Sequence, residues 1–69
     1  MITEKDITIG SKIKLINGTI FIIDGIEQNP TFGTLVCSSI QGGEKGRYRD
    51  SISEVLDFFN ENNSIKLNH

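Results

Sequence analysis

The chain has 69 residues, 36% of them hydrophobic and 23% charged, enough for one small domain and no second. Seven Lys and Arg against nine Asp and Glu leave a net charge of -2, far from the basic balance of a general DNA or RNA coater. One cysteine (Cys37) and one histidine (His69) exclude a disulfide framework and a Cys/His zinc site built from this chain alone, so no metal or cofactor is expected.

The opening Met1-Ile2-Thr3-Glu4-Lys5-Asp6 lacks a basic-then-apolar leader. No apolar run approaches the ~18 residues of a membrane span, so a soluble, cytoplasmic protein is expected. Asp6-Ile7-Thr8-Ile9-Gly10 alternates and reads as an extended lead-in. The core is thin, and with no disulfide or metal to help it, self-association into a homo-oligomer is one expected source of stability.

Lys12 to Ile16 and Thr19 to Ile23 are β-rich runs separated by Asn17-Gly18, a pair suited to a two-residue type I′ hairpin. That turn sets Leu15 opposite Ile20, Ile13 opposite Ile22, Lys14 opposite Phe21 and Lys12 opposite Ile23. Ile13, Leu15, Ile20 and Ile22 then form one apolar core face. Lys12, Lys14, Ile16, Thr19, Phe21 and Ile23 fall on the other.

Asp24-Gly25 suits a bulge, with Ile26-Glu27 extending the strand. Gln28 to Gly33 reads as a loop around Pro30, and Thr34 to Ile40 as a third strand. Gln41 to Gly46 is a flexible turn. Arg47-Tyr48-Arg49-Asp50 is a fourth strand with both arginines on one side and Tyr48 on the other.

The period changes at Ser51. Ser51-Ile52-Ser53-Glu54 fits a capping box, with Ser53 as an alternative cap, and Ile52, Val55, Leu56 and Phe59 share a helical stripe. The helix ends in Asn60-Glu61-Asn62-Asn63, and Ser64 to Leu67 reads as a closing strand. Asn17-Gly18-Thr19 and Asn62-Asn63-Ser64 match the glycosylation pattern but read as turn and cap.

The order β-β-β-β-α-β predicts a mostly β fold, a five-stranded antiparallel barrel over residues 1–69 with the helix plugging one end. Through Ile9-Gly10-Ser11-Lys12-Ile13 leading into the first strand, and one short helix before the last, the chain resembles the SH3-like small barrels. An OB-like barrel is the second reading. Such likeness carries no function with it.

Catalysis is not expected. The one histidine lies at the C-terminal end, and Cys37 reads as a buried, inert thiol without an adjoining base. Asp24 with Glu27, and Asp50 with Glu54, read as turn and cap residues. No Walker loop, dinucleotide fingerprint or calcium loop is present.

Two candidate binding surfaces remain. Residues 1–40 carry a net -1, residues 41–50 a net +1 and residues 51–69 a net -2, so the local positive excess lies in Gly42 to Asp50. Lys45, Arg47 and Arg49, with the Gly43 amide, suit a nucleotide-like anion, and Phe32 offers a ring for stacking. The alternative is that these are edge charges that deter strand pairing or are paired with Glu44 and Asp50. The second surface is an interface of Ile16, Phe21, Ile23 and Phe58 on the outer hairpin face. Its alternative is that the helix, through Phe58 or Val55, or the N-terminal segment covers this face.

The leading expectation is a binding module that sequesters an anionic small molecule. Ile, Lys and Asn usage suggests an AT-rich genome, and with it a phage or mobile-element accessory protein that blunts a host defence. The second expectation is an inhibitor or adaptor of a larger host protein. A nucleic-acid-binding barrel is the weakest, because three cations in one decapeptide do not offset an acidic helix.

Overall fold

The computed structural model describes residues 1–43 and 46–67. A 3₁₀ turn at Glu4–Asp6 precedes β1 (Lys12–Lys14), β2 (Ile20–Asn29), β3 (Gly33–Ile40), β4 (Arg47–Ser51), α1 (Ile52–Glu61) and β5 (Ile65–Leu67). The strands make one antiparallel sheet in the order β4-β3-β2-β1-β5. β4 and β5 end the sheet on opposite sides without pairing to each other, so the described sheet is open rather than closed on itself. Its second layer comes from α1 and the N-terminal segment: Val55, Phe59, Ile2 and Ile7 cover Ile13, Leu15, Phe21, Ile23 and Val36 in one core.

The first hairpin differs from the expected register by one residue. Lys12 lies opposite Ile22, Ile13 opposite Phe21 and Lys14 opposite Ile20. The cause is the loop, which holds three residues instead of two. The Leu15 amide donates to the Thr19 carbonyl at 2.8 Å, enclosing Ile16, Asn17 and Gly18. Gly18 takes φ 94° at the third loop position, whereas Asn17 stays out of the left-handed region a type I′ turn requires of it. Asn17 instead uses its side chain, whose Oδ1 accepts from the Thr19 amide at 2.9 Å. Because side chains alternate, the slip turns Phe21 and Ile23 into the core beside Ile13 and Leu15, and leaves Ile20 and Ile22 half-buried on the outer face.

The bulge expected at Asp24-Gly25 is present: pairing shifts between Ile23 and Gly25, leaving Asp24 as the extra residue. Its effect is to invert the alternation for the rest of β2. Ile26 pairs with the buried Val36 on the helix side, and Glu27 pairs with Leu35 on the outer face.

The N-terminal lead-in is folded rather than extended. After the 3₁₀ turn, Thr8 to Ser11 closes a tight turn in which the Ser11 amide donates to the Thr8 carbonyl at 3.0 Å. Ile2 and Ile7 are thereby buried while Ile9 points to solvent. Asn60 of α1 clasps the segment like a short piece of strand. Its Oδ1 accepts from the Ile2 amide at 2.7 Å, and its Nδ2 donates to the Ile2 carbonyl at 2.9 Å.

At the start of this segment the Thr3 amide donates to the Asp6 carboxylate at 2.9 Å, and the Thr3 hydroxyl donates at 3.3 Å. The amide bond chiefly, helped by the hydroxyl and by the charges of Lys66 and the N-terminus, holds the Asp6 carboxyl below its ordinary value of 3.8. A depressed carboxylate contributes stability that is present above 3.8 and is lost as pH falls through the lower folded value. The expected result of a carboxyl-carbon NMR titration is an Asp6 midpoint below 3.8; a midpoint at or above it contradicts the turn geometry.

α1 begins as expected on Ser51, which has extended backbone angles. Its hydroxyl oxygen accepts from the Glu54 amide at 3.4 Å and its hydroxyl lies 3.0 Å from Glu54 Oε1. The helix ends in a Schellman motif with Asn63 in the left-handed position at φ 48°. The Ser64 amide donates to the Phe59 carbonyl at 3.0 Å, and the Asn63 amide to the Asn60 carbonyl at 3.2 Å.

Candidate functional site

The arginines of β4 do project together from the outer face, opposite Ser39 and Cys37 of β3. They do not stand free. Arg47 Nη2 donates to Asp24 Oδ1 at 3.0 Å, and Arg49 Nη2 donates to Glu27 Oε2. Asp24 faces outward by alternation from the buried Ile23 and Glu27 because of the β2 bulge, so the irregularity that shapes the strand also completes the neutralisation of the arginine pair. The partners of the two arginines among the described residues are Asp24 and Glu27 rather than Asp50, and Glu44 lies outside the described residues. Both pairs are solvent-exposed, and each contributes about 0–1 kcal/mol.

The rest of the expected anion site is dispersed. Lys45 lies outside the described residues. The Gly43 amide is taken up within its own turn, donating to the Ile40 carbonyl at 3.3 Å. Phe32 is 69% exposed on the β2–β3 loop, held there by Asn29, whose Oδ1 accepts from the Thr31 and Phe32 amides at 2.8 and 2.9 Å. Phe32 and Arg49 line one open cleft of about 490 Å³ beside Leu35, but Asp50 and Glu54 line it as well. Neither Arg47 nor Gly43 reaches it.

The expected interface is corrected more sharply. Phe21 and Ile23 belong to the core because of the one-residue slip, so they cannot share an outer patch with Ile16 and Phe58. Ile16 is 74% exposed at the hairpin tip, where its amide donates to the Asn62 carbonyl at 3.1 Å. The alternative in which the helix covers Phe21 holds: the Phe58 ring packs edge-on against it, with centroids 5.6 Å apart. Cys37 is half-buried on the outer face rather than in the core.

The feature missed in the sequence lies between β4 and α1. Tyr48 and Phe58 flank Phe21 at 5.7 and 5.6 Å and are themselves 46% and 42% exposed, leaving an aromatic rim at the edge of the core. Beside this rim is a cleft of about 210 Å³ lined by Ser38, Asp50, Glu54, Val55, Phe58 and Phe59. Its sequence signal was the alternation Arg47-Tyr48-Arg49-Asp50. When the arginines face out, Tyr48 and Asp50 share the helix side with Ser38, which pairs with Tyr48.

Carboxylates cluster on α1 and the adjoining end of β4, while the helix side of the sheet also carries Lys66 on β5, opposite the buried Ile13. α1 carries Glu54, Asp57 and Glu61 with no lysine or arginine, and Asp50 extends this acidic side onto β4. The outer face carries Lys12 and Lys14 on β1 and, three strands away on β4, the two arginines paired with Asp24 and Glu27.

No group of three or more His, Cys, Asp or Glu side chains among the described residues is placed to hold a metal ion. No helix among them is long and apolar enough to cross a membrane. No protein-family model matches the chain, and searches of curated proteins and of solved structures return no significant match.

Proposed function

We propose that this chain is a non-enzymatic binding module that acts by occupancy, as an inhibitor or adaptor of a larger protein, and that it presents its helix-side face. The observation that carries this reading is a cluster of charge: four carboxylates lie on α1 and the adjoining end of β4 without a cation among them. Such a face steers association with a basic partner, and the aromatic rim beside it supplies apolar contact area. The open five-stranded sheet, with its helix before the last strand, supports an opened SH3-like barrel as the framework.

A second reading keeps one observation in its favour. Phe32 and Arg49 share a cleft, which suits a planar anionic ligand such as a nucleotide. It requires Arg49 to exchange Glu27 for the ligand in the presence of two nearby carboxylates. Nucleic acid is the weakest partner, since Lys12 and Lys14 are the outer-face cations left without an acidic partner among the described ion pairs.

Capture from lysate on the immobilised protein, compared with Asp57→Lys/Glu61→Lys, tests the leading reading. A partner bound by the parent chain is expected to be lost or weakened about tenfold by the double reversal, and to weaken with salt. Capture indifferent to the reversal overturns it. So does a nucleotide that raises the melting temperature at ligand excess, which supports the second reading instead.

A further inference from the structure

We infer that the cleft between β4 and α1 is a socket for one arginine side chain of a protein partner. The inference rests on the protein-binding reading and names the chemistry of the contact. Three independent features converge on it.

The first is an unpartnered polar group. Ser38 is 5% exposed, it lines the cleft, and its hydroxyl makes no hydrogen bond among the described residues. The buried side-chain atom without a partner among the described residues is Ser64 Oγ, not Ser38 Oγ, so the Ser38 hydroxyl opens on the cleft and is free to meet a donor that enters it. The second is charge. Asp50 and Glu54 line the cleft, neither forms a salt bridge among the described residues, and no lysine or arginine lines it. The third is shape and surface. Val55, Phe58 and Phe59 make the walls apolar, and Phe58 is held edge-on against Phe21 while remaining 42% exposed.

A ligand that satisfies all three needs an apolar stem, a delocalised positive charge and several N–H donors. An anion is repelled by the carboxylates, and a neutral apolar group leaves Ser38 unmet. Arginine fits better than lysine. Its planar guanidinium stacks on an aromatic ring and forks onto a carboxylate, whereas an ammonium is a compact, strongly hydrated charge. The stem lies along Val55 and Phe58, and the head donates to Asp50 and to the Ser38 hydroxyl.

The test is an NMR titration of the whole chain with N-acetyl-arginine amide, run beside N-acetyl-citrulline amide, its neutral isostere. Arginine amide is expected to shift the amide signals of Ser38, Asp50, Val55 and Phe58 in a saturable way, and the citrulline compound is not. Asp50→Asn, at the exposed end of β4, is expected to raise the dissociation constant about tenfold, and Ser38→Ala to raise it about threefold. Equal shifts with citrulline, shifts spread over the Asp57 and Glu61 face, or an Asp50→Asn chain that binds unchanged each overturn the socket. Those outcomes leave the broader reading standing if capture of a partner still responds to Asp57→Lys/Glu61→Lys. Conversely, loss of that response does not affect the titration.

Discussion

Glutamate at position 23 unfolds this protein, whereas glutamate one residue earlier is carried at a cost of about 1 kcal/mol or less. Ile23 is 0% exposed and packs in the core with Ile13 and Phe21. A carboxylate there has no cation to meet and costs several kcal/mol whether it stays charged or takes up a proton. A core this small leaves a net stability of only ~3–5 kcal/mol, so Ile23→Glu abolishes the folded state. Ile22 is half-buried on the other face, directly opposite Lys12. Ile22→Glu places unlike charges across a strand pair, which offsets part of the lost apolar contact. Circular dichroism with urea titration reads both. The two-residue hairpin register predicts the reverse order, with position 22 intolerant and position 23 permissive, so the pair of variants decides between the registers.

That register is also where the sequence stops being informative. The hairpin itself was legible, because two β-rich runs flank Asn17-Gly18 and both runs form strands. The loop length was not. Asn-Gly fills the centre of a type I′ turn, but it equally ends a three-residue loop with glycine in the last, left-handed position. Side-chain pattern usually arbitrates, yet Ile20-Phe21-Ile22-Ile23 is apolar at every position and either parity builds a credible core. The missing arbiter lay far off in the chain, where Phe59 and Val55 of α1 meet Phe21 and Ile23.

The arginine pair failed as a free site for a related reason. Both arginines stand on one face, as alternation requires, but their neutralisation depends on which way Glu27 points. The Asp24 bulge settles that, and a bulge at Asp24-Gly25 was legible only as a possibility of local geometry. The N-terminal segment was misread because alternation at Ile7 and Ile9 mimics a strand. Thr3 and Asp6 form a turn, and the positive φ of Gly10 breaks the run. By contrast, the Ser51 cap and the left-handed end of α1 are local chemistry, and they came through intact.

The second large effect expected is at Phe59. Phe59 is 1% exposed and lies 5.8 Å, centroid to centroid, from Phe21, so it joins the helix to the sheet. Phe59→Ala removes its contacts and leaves a cavity that the short helix cannot collapse, at about 3–5 kcal/mol. That equals the whole stability of a domain this size, so the variant is expected to be largely unfolded without denaturant. Phe58, the next residue, gives the internal comparison. It contacts Phe21 and Phe59 at 5.6 and 5.7 Å but keeps 42% of its surface in solvent, so Phe58→Ala costs about 1–2 kcal/mol and leaves a folded chain. A smaller loss of urea midpoint for Phe59→Ala than for Phe58→Ala contradicts the assignment of core and rim. The two neighbours therefore separate stability from recognition. If Phe58 forms a wall of the cleft, its alanine variant stays folded yet loses the arginine-amide shifts at Ser38 and Asp50. A folded Phe58→Ala chain that still binds arginine amide as the parent does removes the aromatic wall from the recognition chemistry and leaves the carboxylates to act alone.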